Sequence, residues 1–284
     1  MNELRGKVAI VTGASRGVGA TLAVALAAEG CLVACAARST RHAPRKTPGT
    51  LDETVARARE AGAASGGDAV AVPTDLAVPD DIAAMITATA ERFGGVDILV
   101  NNAAVTFAGE LNQDLARHDL TMEINYRAPY LAIREVAPHM ARRGGGAIIN
   151  VSSLAALRPL PHMLAYGTSK IALEHLTLDA ARILAPEAIA VNCFRIDLPV
   201  ASEGFVANMP EADSSDWEST DVPAEGMLWM LRQPPSYTGR REGMYALAVR
   251  EGIMPSLSER QRGLPPRTEM VDALELAVAQ PGVT

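Results

Sequence analysis

The sequence predicts an α/β fold: a three-layer α/β/α arrangement around a doubly wound, mostly parallel sheet of seven strands. Three observations carry that expectation. Short apolar runs rich in valine, isoleucine and alanine alternate along the chain with stretches of helical length, and such alternation demands a parallel sheet covered on both faces. The first run breaks into Thr12-Gly-Ala-Ser-Arg-Gly-Val-Gly19 and opens at once into a helix. Polar or small residues follow the ends of the predicted strands at Gly13, Ala37, Asp75, Asn101 and Ser153, and right-handed crossovers bring those ends to one edge, where ligands of such sheets bind.

At 284 residues, 48% hydrophobic and 21% charged, the chain can bury a full core and reads as one domain over 1–284. A formal charge of −7 argues against a nucleic-acid or anionic-membrane partner, while local basic residues remain open to a phosphorylated ligand. Cys31, Cys35 and Cys193 lie inside apolar runs and are expected as reduced core residues. The five histidines have no ligand spacing among themselves or with the cysteines, so no metal is expected. Residues 1–7 are too short and polar for a signal peptide, and no run reaches the roughly 18 apolar residues of a membrane span. A cytoplasmic protein without membrane contact is therefore expected.

Residues 8–11 are β-branched and uncharged, as a buried strand requires, and the alanine-rich 20–28 supplies the helix over it. Between them Gly13, Gly17 and Gly19 remove side chains where the backbone turns and where something approaches it closely. Free N–H groups at the helix start suit a phosphate, and a plain tight turn is the competing reading. A second strand over 31–36 ends at Ala37 and Arg38. The basic loop 40–50, with Pro44, Pro48 and Gly49, precedes a helix over 51–60. A third strand over 69–73 leads to Asp75 and a helix over 79–93 with an acidic first turn. The fourth, over 97–100, runs into Asn101-Asn-Ala-Ala104. Residues 115–126 and 130–141 form one bent helix or two, interrupted at Pro129, because proline costs about 3 kcal/mol in a helix interior. After a glycine turn at 144–146 come a fifth strand over 147–151, a helix over 165–184 and a sixth strand over 188–194. The acidic 195–221, with Phe205 and Trp217, reads as a substrate-covering segment. Residues 224–231 are helical, Tyr-Ala-Leu-Ala-Val at 245–249 is the candidate seventh strand, and 251–284 is a tail with a short helix over 269–278.

Ser153, Tyr166 and Lys170 form the sharpest chemical pattern. Tyr166 and Lys170 are four apart on a predicted helix and share a face. A phenol with a reference pKa near 10 is a poor acid or base at neutral pH, and an adjacent ammonium favours its ionised form. Such a group can give a proton to an alcohol oxygen or take one from it, with Ser153 donating to the same oxygen. An ordinary helix tyrosine, surface lysine and strand-end serine is the alternative that spacing alone leaves open.

The sequence resembles the short-chain dehydrogenase/reductase family over about 7–194, through Thr12-Gly-Ala-Ser-Arg-Gly-Val-Gly19, Asp75, Asn101-Asn-Ala-Ala104, Asn125, Ser153 and Tyr166-Gly-Thr-Ser-Lys170. The resemblance implies a Rossmann fold and a nicotinamide cofactor. It implies that Tyr166 is the general acid/base, that Ser153 polarises the substrate oxygen, and that Lys170 holds the nicotinamide ribose and lowers the tyrosine pKa. Asn125 would anchor a water in a proton relay from Lys170. Gly13, Ser15, Arg16, Gly17, Val18 and Gly19 would line the cofactor, with Ala37, Arg38, Asp75, Leu76, Asn101, Asn102, Ala103, Tyr166, Lys170 and Ile196. The family also implies a homotetramer or homodimer, and the 40–50 insertion resembles that of the hydroxysteroid-dehydrogenase-like subgroup.

An NAD site usually places a carboxylate after the second strand, where a 2′-phosphate would be repelled. Here that position is Ala37, followed by Arg38, and Arg16 sits in the glycine turn. Two guanidiniums suit a phosphate, so NADP(H) is expected, although Arg38 stacked on adenine would suit either cofactor. The expected activity is hydride transfer between NADP(H) and a small-molecule carbonyl or secondary alcohol. An epimerase or dehydratase of the same fold, and a catalytically silent NADP(H)-binding scaffold or regulator, are the alternatives. The last rests on Arg195-Ile-Asp-Leu-Pro199, which stands where the family usually carries Pro-Gly beside the nicotinamide. Either a charged side chain from Arg195 or Asp197 enters that region, or the loop takes another path.

Overall fold

Alternate residues of each central strand enter opposite sides of one sheet, which is why these strands read as unbroken apolar runs. The computed structural model describes residues 3–208 and 211–262. In β1 (Val8–Thr12), Ala9 and Val11 join one core and Ile10 the other. In β2 (Leu32–Ala37), Val33 and Cys35 oppose Ala34 and Ala36 in the same way. With β3 (Asp68–Pro73), β4 (Ile98–Asn101), β5 (Gly146–Ser153), β6 (Ile189–Ile196) and β7 (Arg241–Gly243) they form a seven-stranded sheet in the order β3-β2-β1-β4-β5-β6-β7. Every pairing is parallel. The expected doubly wound sheet is thus present, and its order reverses between β1 and β4, the position where such sheets bind ligands.

One core is closed by α1 (Gly17–Ala28), α2 (Leu51–Gly62) and α8 (Asp221–Leu231), the other by α3 (Pro79–Phe93), α5 (Ala128–Arg142) and α6 (Leu164–Leu184). α1 carries no charged residue because α2 and α8 both pack against it. α2 starts sharply because Thr50 and Glu53 form a reciprocal capping box, an arrangement that satisfies two of its otherwise unbonded N–H groups. No helix among the described residues is long and apolar enough to cross a membrane.

Two expectations require correction. The seventh strand is Arg241–Gly243, and the segment expected as that strand lies in α9 (Met244–Glu251). Tyr-Ala-Leu-Ala-Val looks alternating, but Met244, Tyr245, Leu247 and Ala248 are the buried positions, a helical spacing, and left-handed Gly252 stops the helix after two turns. The segment after 251 is also not all tail. Met254 and Leu257 are buried in the core, and Ser258 binds Glu218 through its N–H and its hydroxyl ahead of α10 (Glu259–Arg262). The helix expected over 269–278 lies outside the described residues.

Near Pro129 the chain neither breaks nor simply bends. Between α4 (Leu115–Met122) and α5 a π-helical turn spans Glu123–Arg127. Pro129 has no N–H, so the Asn125 carbonyl four residues earlier loses the donor an α-helix would give it, and the widened turn accommodates the defect. The three cysteines are free and fully buried. Burial pushes the Cys31 and Cys35 thiols up to about 12, and Cys193 further still, with Glu174 adding to the effect.

Candidate active site

Ser153 ends β5, and α6 passes it with Tyr166 and Lys170 one turn apart. Ser153 hydrogen-bonds the half-buried Tyr166 phenol. The Lys170 side chain is buried; its Nζ donates to the Val151 carbonyl at 2.8 Å and lies 5.6 Å from the centre of the Tyr166 ring. These three residues therefore meet. Their proton affinities differ from the expectation. Burial pushes the Tyr166 phenol up, the Ser153 hydrogen bond opposes the rise, and Lys170 makes no resolved contribution. The reason is the order of titration: Lys170 is itself pulled down, so its charge is gone before the phenol ionises. Lys170 instead is pulled down by burial to about 8, with Cys193 and Glu174 resisting the fall. In this arrangement it is the lysine that titrates close to neutrality.

Asn125 sits on the π turn and is fully buried. Its side chain accepts from Val105 N–H at 2.8 Å and donates to the Val105 carbonyl at 2.9 Å and to Ser169 Oγ at 3.1 Å. Because the amide is thus committed to the β4–α4 connection and to α6, any water anchored by this residue falls to its main-chain carbonyl.

The glycine turn is held from below. Thr12 Oγ1 accepts from the N–H groups of Asn102 and Ala103, and Asn102 Nδ2 donates to the Thr12 carbonyl at 2.8 Å. Gly13 has φ +68°, and a Cβ there would come within 2.9 Å of Ala103 Cα, so packing as well as conformation requires glycine. Asn101 has a different role from Asn102: its amide donates to Asn150 Oδ1 at 2.8 Å inside the sheet. A cleft of about 280 Å³ opens beside the start of α1, lined in part by Ser15, Arg16, Gly17, Thr21, Arg57 and Glu203. Val18 is buried in the first core, and partly buried Ala37 and Ile196 pack against it, while Leu76 packs against the other.

The charges around this cleft are engaged by the protein itself. Arg16 donates to the carbonyls of Thr47, Pro48 and Gly49 at 2.6–2.9 Å and so pins the 40–50 loop to the glycine turn. Burial pulls its guanidinium below the usual value, Glu203 resists, and nearby Arg38 pushes it down further. Arg38 is exposed and lies 3.9 Å from Asp75. In α7 (Glu203–Asn208), Glu203 accepts from the Gly17 N–H at 2.7 Å. A carboxylate therefore stands at the end of α1 where a phosphate would be stabilised.

Arg195 does not enter this cleft. It forms a buried bidentate pair with Glu174 of α6, at 2.9 and 2.7 Å. Asp197 accepts from the Tyr245 N–H at the start of α9. The sequence reading missed Glu174 and Glu203. Glu174 was detectable, because it follows Lys170 by four residues on one helix. Glu203 carried no signal, since its partner is 186 residues away.

Residues 7–198 match the family model described as short chain dehydrogenase. The chain belongs to this family. It is 35% identical over 223 residues to the 2-(R)-hydroxypropyl-CoM dehydrogenase of Xanthobacter autotrophicus, covering 73% of this chain and 85% of that protein. It is 30% identical over 242 residues to the hydroxysteroid dehydrogenase-like protein 2 of Bos taurus, covering 84% of this chain and 56% of that one. The solved short chain dehydrogenase from Mycobacterium thermoresistibile superposes with a TM-score of 0.78 at 31% identity, over 88% of each chain. The family is one of oxidoreductases that use nicotinamide cofactors. A short-chain dehydrogenase needs a glycine turn free of side chains, a main-chain anion site and a proton-transferring group nearby, and the residues present fit that need.

Proposed function

We propose that this short-chain dehydrogenase is an NADP(H)-dependent oxidoreductase acting on a carbonyl/secondary-alcohol pair, with Tyr166 as general acid/base. The observation that carries the reading is the meeting of Ser153, Tyr166 and Lys170 at the end of β5, beside the sheet's switch point. Gly13, Ser15, Val18 and Gly19 would hold the cofactor pyrophosphate through main-chain N–H groups, joined by Gly17 once its N–H releases Glu203, with Arg16 and Arg38 toward the adenine ribose. When bound, that cofactor supplies or accepts the hydride.

The protein's own groups handle the proton. Ser153 orients the substrate oxygen, and Tyr166, protonated at neutral pH and held more firmly so by its burial, gives its proton to that oxygen as a carbonyl is reduced. Lys170, with a proton affinity near neutrality, re-supplies the tyrosine through a water held by the Asn125 carbonyl. For oxidation the same path runs backward. Preference for NADP(H) is supported by Ala37, which offers no carboxylate, and by two guanidiniums close enough to repel each other, an arrangement that a phosphate dianion relieves. The 2-hydroxypropyl group in one relative's name suits a secondary-alcohol substrate. The scaffold alternative rested on the altered 195–199 segment, and the pairing of its Arg195 with Glu174, away from the cleft, favours the enzymatic reading. Exposed Tyr130 on α5, with Ile171 and Ile183 on α6, supports assembly into a homodimer or homotetramer through these helices.

The test follows NADPH loss across a panel of aldehydes and ketones, with Tyr166→Phe as control. Turnover that survives in the variant overturns the assignment of the acid. Equal affinity for NADPH and NADH, read by nicotinamide fluorescence, overturns the cofactor preference.

A further inference from the structure

Behind the proton-handling residues lies a second charged cluster with no part in the reading above. Glu174 is completely buried, and the Arg195 side chain is only 3% exposed. Glu174 binds both ends of the Arg195 fork and also accepts from Ser152 Oγ at 2.7 Å, while Arg241 of β7 approaches to 3.9 Å. One carboxylate thus joins α6, the tip of β5, the tip of β6 and β7. The β5–β6 register sets Ser152 directly beside Arg195. Its location is specific: Ser152 adjoins Ser153, and Glu174 follows Lys170 by one helical turn.

Buried ion pairs are a poor way to gain stability, because well-packed apolar residues of similar volume often serve as well or better. A pair retained at this point calls for another reason. We infer that Glu174 and Arg195 are a positioning pair for proton transfer, a self-neutralising bridge that fixes the β5 tip against α6 and holds the electrostatic surroundings of Lys170. The inference rests on the Tyr166–Lys170 reading and adds two residues to it. The groups facing Lys170 are Tyr166 and Glu174 on α6, Cys193 on β6 and the Val151 carbonyl on β5, with Arg195, Arg241 and Ser152 gathered on the Glu174 carboxylate. Glu174 is the carboxylate of this set, and Arg195 is its ion-pair partner. Removing one exposes the other to the ammonium, so the two single changes act in opposite directions.

The chain has only three lysines, Lys7, Lys46 and Lys170, so side-chain ¹³C NMR of the lysine-labelled, cofactor-free protein can follow Lys170, with Lys170→Met for assignment. Glu174→Gln, which leaves the Arg195 cation, lowers the Lys170 midpoint. Arg195→Met, which leaves the Glu174 anion, raises it. Each shift is on the order of half to one pH unit, and the matching limb of the kcat/KM profile moves the same way. The double variant Glu174→Gln/Arg195→Met leaves no buried unpaired charge and tests the proposal even where a single variant fails to fold. Its Lys170 midpoint lies between those of the wild type and Glu174→Gln, and kcat falls about tenfold with KM unchanged as the β5 tip loses its anchor. Folded single variants that shift together or not at all overturn the electrostatic part, and a double variant with full kcat overturns the positioning part. If Tyr166→Phe is inactive while the midpoints stay fixed, the pair alone is rejected. If Tyr166→Phe remains active, the acid assignment is rejected and the NMR comparison still stands.

Discussion

The two ends of the cleft are built on opposite plans. At the proton-handling end Asn125 and Glu174 are completely enclosed, Lys170 nearly so, and each binds fixed main chain or another buried side chain. At the phosphate end Arg38 is exposed and Asp75 half-buried, Arg16 binds loop carbonyls, and Glu203 reaches across from another segment. A change at the first end leaves a buried polar group without its partner. A change at the second is compensated by water. Chemistry is thus placed where substitution is costly and cofactor choice where it is cheap.

The largest effect that would break this contrast is loss of the phenol. Tyr166→Phe keeps the ring and removes the transferable proton, and kcat should fall about 10³-fold with the melting temperature nearly unchanged; steady-state kinetics beside thermal unfolding checks both. A smaller effect is expected at the exposed end. Arg38→Ala should weaken NADPH about ten- to thirtyfold and leave NADH almost unaltered, a ratio read by fluorescence titration. The smallest sharpens the comparison by reversing its sign. Glu203→Gln removes the negative charge from the α1 terminus, and cofactor binding should tighten about two- to fivefold, an advantage that added salt reduces.

The sequence made the buried end legible because burial constrains residue type. Tyr166, Lys170 and the strand ending at Ser153 could be placed from spacing, and Pro129 marked the irregular turn that carries Asn125. It failed where one local pattern has two structural solutions. Tyr245 to Val249 alternates like a strand, yet the buried positions that begin with Met244 follow a helical period. It failed also where charges meet across the fold. The sequence left open whether Arg195 or Asp197 enters the nicotinamide region or the loop takes another path, because nothing near Arg195 in the chain announces Glu174, and the expected influence of Lys170 on Tyr166 depended on a burial of the ammonium that spacing cannot specify.

The enclosed thiols set an upper limit on tolerated alkalinity. Each is held protonated in the folded chain well past its ordinary value of 9.0, so the stability they contribute is complete below pH 9 and is lost as the pH climbs toward 12. Each proton retained only by the native state costs about 1.4 kcal/mol per pH unit, so the three together steepen the decline by roughly 4 kcal/mol per pH unit within that window. Lys170 acts in the other sense between about 8 and 10.5, but it is one group against the three thiols and the raised phenols of Tyr166 and Tyr237. Urea midpoints should therefore fall steeply from pH 9 upward, and replacing all three cysteines with alanine should flatten that decline.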